Sequence, residues 1–192
     1  MTCAHGFNNF YPTIVAGIGM GSRIKTVLLT APPFFMTAVV SVLVAFHSDY
    51  RKERGWHMSI PLSVTLVGYI ISAATLHKGA RYFASFLYIG GSFSANPLLT
   101  TWIATTLSRT PEKRATAIAF CNVFGFFGSL VTPYFFPSTH GPRYLMAMLL
   151  MGAFTATTAS GILFMKWWLT RENRKLKETA DRDGTIYVPF TT

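Results

Sequence analysis

Charge is scarce in this sequence. Charged residues fill 12% of the 192 positions, about half the share found in an ordinary soluble domain. That is too little to cover a water-facing surface of this size. Acidic side chains are the scarcer sign, with seven Asp and Glu against seventeen Lys and Arg. Cysteine is rarer still. Cys3 and Cys121 stand alone, with no CxxC and no Cys/His cluster, so neither a disulfide framework nor a metal site is indicated. The opening MTCAHGFNNF lacks a basic start leading into an apolar run, so a cleavable signal peptide is not expected. No nucleophile–base constellation, phosphate loop or carboxylate pair is visible, and neither an enzyme nor a cofactor is expected.

What is abundant is apolar sequence. Hydrophobic residues reach 51%, with 17 Phe and 15 Gly. Five stretches carry no Asp, Glu, Lys or Arg: Thr26–His47, Trp56–Leu76, Tyr82–Leu107, Ala115–Phe136 and Tyr144–Met165. Each reaches the ~20 residues a helix needs to cross the hydrocarbon layer. Buried strands would be far shorter, and the alternation of a membrane β-barrel is absent. The expected fold is therefore an all-α membrane protein with about five transmembrane helices in a lipid bilayer. Gly6–Ser22 is also uncharged, but it is broken by Asn8, Asn9, Pro12 and glycines, and it is read as a helix end or a surface loop. Residues 1–25 are thus assigned to a helix end and an extracellular loop, 26–165 to a five-span bundle, and 166–192 to a cytoplasmic tail whose end is expected to be disordered.

The net charge of +10 would suggest nucleic acid in a soluble protein. Here the basic residues sit in short runs between spans, and no basic face interleaves with aromatics, so no nucleic-acid partner is expected. Counting alternate sides gives an orientation. The loops SDYRKERG and SRTPEKR and the tail hold twelve of the seventeen Lys and Arg, against five on the other side. The richer side should face the cytoplasm, which puts the C-terminus inside.

Small residues recur every fourth position along several spans, including Cys121, Gly125 and Ser129, and Gly152, Ala156 and Ser160. That spacing places each set on one helix face. Gly125, Ser129 and Gly152 are the candidate packing positions, because close approach through small side chains drives association in lipid. Pro32, Pro33, Pro97 and Pro133 interrupt the spans and should kink them. Among polar groups within spans, Asn96, Trp102 and Asn122 are the candidates for lining a solute path. His47 and His57 flank the first loop and are read as interfacial anchors rather than metal ligands. An Asp near a helix end beside cations can form charge-assisted hydrogen bonds, which makes Asp49 with Arg51, Lys52 and Arg54 a candidate conformational latch.

The loop SDYRKERG resembles the Asp-containing loop of the major facilitator superfamily, in the form seen in the fungal anion:cation symporter branch of allantoate and nicotinate permease-like proteins. Ser48, Asp49, Lys52, Glu53, Arg54 and Gly55 fit that form, and Tyr50 departs from it. NNFYPTIVAGIG, TAPPFF, Pro97 with Trp102, Lys113–Ala115, GFFGS and GPRY resemble successive segments of that family's C-terminal half. The resemblance implies the C-terminal six-helix bundle of a plasma-membrane transporter. Such a transporter moves small organic anions or other small polar solutes by alternating access, opposite an N-terminal half-bundle absent from this sequence. Phe126 and Thr105–Thr106 stand where the family carries Asn, so substrate identity does not follow. The rival expectation is a truncated, non-transporting bundle that serves only as a partner-binding subunit or relic.

Overall fold

The computed structural model describes residues 11–12, 14–17, 23–106, 110–135, 144–183 and 190. Five long helices follow one another: α1 Arg23–Arg51, α2 Gly55–Ala74, α3 Lys78–Thr106, α4 Pro111–Val131 and α5 Leu145–Asp183. A 3-10 turn, Thr132–Phe135, ends α4. No strand occurs among the described residues. Residues 11–12 and 14–17 are helical, with Tyr11, Ile14 and Val15 buried, so these residues pack into the bundle.

Three helices, spanning 24–51, 55–74 and 145–182, are long and apolar enough by composition alone to cross a membrane. The remaining two are also of spanning length, at 29 residues for α3 and 21 for α4. The lower apolarity of α3 follows from its place. It is the central helix, packed on α1, α2 and α4, and its buried face is built of small and hydroxyl residues: Ala84, Ser85, Gly90, Gly91, Ser92, Ser94 and Ala95. A helix that meets other helices needs close approach more than apolar bulk. The outward faces show the opposite pattern. Leu28, Phe35, Phe46, Ile70, Phe120 and Phe127 are all more than half exposed. A soluble monomer does not present apolar area on this scale; a lipid-facing bundle does.

The core is divided into two apolar clusters separated along the bundle axis. One gathers Tyr11, Tyr69, Tyr88, Tyr144 and Met148 with their neighbours; the other gathers Met58, Leu62, Leu98, Trp102, Ile162 and Leu169. Between them lies a belt of buried hydroxyls. Each turns back to a carbonyl one turn earlier on its own helix: Thr37 to Pro33, Thr65 to Pro61, Ser94 to Gly90 and Thr155 to Met151, at 2.6–3.0 Å. Self-satisfied in this way, they pack as small side chains.

Proline breaks are repaired locally. Pro33 cannot donate to the carbonyl of Leu29. The Tyr82 hydroxyl of α3 donates to that carbonyl instead, at 3.0 Å. This interhelical bond holds α1 to α3 near one end.

The last helix runs on into the tail. The helix does not stop at Met165 but continues to Asp183. Beyond it, Asn173 pairs with the backbone of Phe190 through both side-chain atoms: Nδ2 donates to the Phe190 carbonyl and Oδ1 accepts from the Phe190 N–H, each at 2.8 Å. Phe190 packs on the cluster around Trp102 and Leu169. A planar amide imitates a backbone pair, and this ties the chain end back to the bundle at one residue.

Candidate functional site

The α1–α2 connection is only three residues long and is closed by hydrogen bonds. Lys52 adopts φ 53°. Its N–H donates to Asp49 O and that of Glu53 to Ser48 O, both at 3.3 Å. This pair of bonds is a Schellman ending, and it usually employs glycine at the left-handed position. The Ser48 hydroxyl, fully buried, adds a bond to Glu53 O at 2.9 Å. The SDYRKERG run therefore forms a rigid turn.

The turn positions its charges differently from one another. Arg54 is 9% exposed. One guanidinium nitrogen pairs with Asp49 Oδ1 at 3.4 Å, and the other donates to Thr105 Oγ1 of α3 at 3.3 Å. Thr105 gives its own proton to carbonyls of α3, so it can accept from Arg54. Arg51 and Lys52 are exposed. Of the four latch candidates, the structure thus brings Asp49 and Arg54 together and leaves Arg51 and Lys52 at the surface.

The stronger interhelical tie was not among those candidates. Glu53 Oε1 forms an ion pair with Lys166 Nζ of α5. Lys166 also stands over the Trp56 ring at 4.6 Å from its centroid, a favourable cation–π placement. Gly55 makes room for it, since a Cβ there would lie 2.6 Å from Lys166 Cδ. The turn therefore links α1, α2, α3 and α5 at one end of the bundle. In the sequence, the only trace of this pairing is that Lys166 is the first charge after the last apolar run.

His47 and His57 meet beside the turn, Nδ1 to Nε2 at 3.2 Å with rings edge to face. Among the described residues no group of three or more His, Cys, Asp or Glu could hold a metal ion.

The candidate path residues are dispersed. Asn96 is half-buried on α3, and its Oδ1 is buried without a hydrogen-bond partner among the described residues. Trp102 lies six residues on, 4% exposed within the apolar cluster, and six residues is too far round a helix to share a face. Asn122 is half-buried on α4. Of the packing candidates, Gly125 is buried, a Cβ at Gly152 would lie 3.9 Å from Tyr69 of α2, and the Ser129 side chain lies outside the described residues. Two glycines with closer contacts emerge from the structure. A Cβ at Gly68 would lie 3.0 Å from the backbone of α3, and one at Gly91 would overlap Thr65 Oγ1 and the Pro61 carbonyl of α2. One end of α3 also carries a surprise. Arg81, left outside the third uncharged stretch Tyr82–Leu107 and so read as part of the connection before it, sits in the first helical part of α3 and is 3% exposed.

Lipid-facing apolar helices, a glycine-set interior and one charged, cross-linked end define a multi-pass α-helical membrane protein. No family model matches the chain, and no solved structure matches it. Curated relatives do. Over 87% of its length the chain is 32% identical to the major facilitator-type transporter hxnP of Emericella nidulans. It is 27% identical over 87% to the MFS-type transporter efuF of Hormonema carpetanum, and 27% identical over 96% to the high-affinity nicotinic acid transporter of Saccharomyces cerevisiae. Over most of its length the chain is thus similar to transporters of the major facilitator type. It spans about a third of the length of these relatives, 34% in each case.

Proposed function

We propose that this chain forms one wall of a transporter for small organic anions, the C-terminal half-bundle that rocks against a second bundle around a midplane site. The observation that carries this reading is the similarity to transporters over most of the chain, joined to a charged turn that ties four helices at one end. The relative named for nicotinic acid supports an organic anion as solute. On this reading the turn at 48–55 lies at the cytoplasmic gate. Asp49 and Arg54 hold it in one conformation, with Arg51 and Lys52 facing outward to meet the opposite bundle. Asn96, with its unsatisfied oxygen, lines the path. Asn122 on α4 flanks it, while Gly125, Ser129 and Gly152 serve helix contact. The transporter relatives favour this over a non-transporting relic.

Uptake measurements test it. Residues 11–183 are grafted in place of the matching segment of the yeast nicotinic acid transporter, and labelled nicotinate uptake is measured at matched surface expression. The chimera is expected to take up nicotinate saturably. Its Asp49→Asn form should lose about fivefold or more, as expected for a coupling of 1–3 kcal/mol. Normal expression without uptake would refute the transport reading, and full uptake by the Asp49→Asn form would refute the latch.

Orientation in the plasma membrane has a separate test. With Cys3 and Cys121 replaced, a cysteine at Glu112 should react with an impermeant maleimide only after permeabilisation, and one at Gly79 in intact cells. Both positions are exposed. The reverse pattern would invert the topology taken from the Lys and Arg count.

A further inference from the structure

Two concavities meet on α5. The first is an apolar groove of about 320 Å³ between α3 and α5, floored by Leu99, Trp102 and Ile103 on one side and by Thr158, Gly161 and Met165 on the other. The second, about 490 Å³, is lined by Trp168, Arg171, Glu172, Arg174 and Lys175. Helical spacing sets them in line along one face of α5. Thr158, Gly161, Met165, Trp168, Glu172 and Lys175 follow at alternating steps of three and four, so they form one stripe along α5. The stripe is apolar up to Met165, aromatic at Trp168 and charged beyond it.

We propose that this stripe is a binding site for one anionic glycerophospholipid, with an acyl chain in the groove and the phosphate headgroup against Arg171, Arg174 and Lys175. Chemistry on both sides of Trp168 favours a single amphipathic ligand. A lipid chain fits the groove, whose walls offer almost no hydrogen-bonding groups. The upper cavity carries three cations against one carboxylate. Arg171 is already stacked on Trp167, 4.3 Å from the ring centroid, which limits the ordering cost of holding it toward a phosphate. Glu172 lies 3.5 Å from Lys175 and can receive the ammonium of a serine headgroup. Tryptophans at this level match the interfacial aromatic belt, and Arg and Lys just beyond it match the usual placement of headgroup-binding cations. The rise from Gly161 to Arg174 is about 20 Å at 1.5 Å per residue, so the site runs from within the hydrocarbon to the headgroup layer. The acidic residues of α5 other than Glu172 come later: Glu178, Asp181 and Asp183. Positive charge is thus concentrated next to the bilayer.

Native mass spectrometry of the purified, delipidated chain tests the proposal. Dioleoyl phosphatidylserine and dioleoyl phosphatidylcholine are offered separately, each with and without millimolar inorganic phosphate. Phosphatidylserine is expected to remain bound in preference to phosphatidylcholine, by about fivefold for each basic residue engaged. Arg171→Gln/Arg174→Gln/Lys175→Gln should remove the preference. Gly161→Leu should weaken binding of phosphatidylserine without touching any charge. A Cβ at Gly161 meets nothing within 4 Å, so this variant fills the groove without disturbing the fold, which circular dichroism verifies. Equal retention of the two lipids, unchanged binding by Gly161→Leu, or displacement of phosphatidylserine by phosphate would each overturn the proposal.

Discussion

Gly91→Ala is expected to break the bundle apart. One methyl group at this position overlaps Thr65 Oγ1 and the Pro61 carbonyl. The carbonyl is backbone, and Pro61 belongs to a helix already fixed by its own contacts, so rotating a side chain cannot clear the clash. The two helices must separate along their longest seam, and Gly68, whose Cβ would lie 3.0 Å from the backbone of α3, shares that seam. Overpacking of a well-packed core costs roughly 1–3 kcal/mol and occasionally more. At Gly91 we expect about 3 kcal/mol, because the obstacle is main chain. In lipid no hydrophobic force between helices compensates for the lost contact. Thermal unfolding in detergent, followed by circular dichroism and gel filtration, provides the measurement. Gly161→Ala is the matched control and should be neutral or slightly stabilising, since alanine is the better helix former by about 1 kcal/mol. Equal stability of the two variants would show that the α2–α3 seam is not set by Gly91.

Lys166→Glu should produce the next largest effect. The Lys166 side chain is 16% exposed and that of Glu53 is 36% exposed. Reversal puts two carboxylates side by side in a partly desolvated position and also removes the cation from the face of Trp56. Removing one member of a fully buried pair costs about 3–5 kcal/mol, and exposed pairs contribute well under 1 kcal/mol. This half-buried site should fall between the two, at about 2 kcal/mol. The melting temperature should then drop by roughly 4–8 °C at this chain length. The swapped pair Glu53→Lys/Lys166→Glu should recover most of the loss, and Lys175→Glu, at the exposed pair with Glu172, should lose little. A swap no more stable than the single reversal would mean that the ion pair does not hold α5 to the turn.

Much of the architecture was legible because a bilayer imposes a simple rule. Backbone groups must be satisfied within each segment, so an uncharged run of about 20 residues is a helix wherever it occurs. The end of α1 could also be read, since SDYR follows directly on an apolar run and Gly55 follows four residues after Arg51. The seam glycines were not legible. Small residues recur on several helices of this chain, and periodicity identifies a face without naming its partner. Gly125 and Gly91 look alike in sequence; only the path of α2 across α3 distinguishes them. The Glu53–Lys166 pair joins positions 113 apart, and no local pattern encodes such a distance. Arg81 was misplaced for a related reason. A charge beside a short connection reads as loop, yet α3 begins at Lys78 and draws Arg81 into its buried face. The continuation of α5 past Met165 was obscured by the change from apolar to charged residues, through which the helix runs on without a break.

The proline repair at Leu29 has a mechanical consequence. Proline removes a rung from the α1 ladder, and the vacated carbonyl is held by Tyr82 of α3. Farther along the same pair of helices, Ser41 and Ser94 meet at 3.2 Å, and the Ser94 proton is already committed to Gly90, so Ser41 is the donor. These two pins lie on one side of α1, while its opposite side presents Leu28, Phe35 and Phe46 outward. A rod pinned along one edge and weakened at the two adjacent rungs that Pro32 and Pro33 remove bends most easily there. Force applied at the Asp49 end would therefore flex α1 about residues 29–33, and α2 and α3, joined through glycine contacts, would move as a single stiff plate.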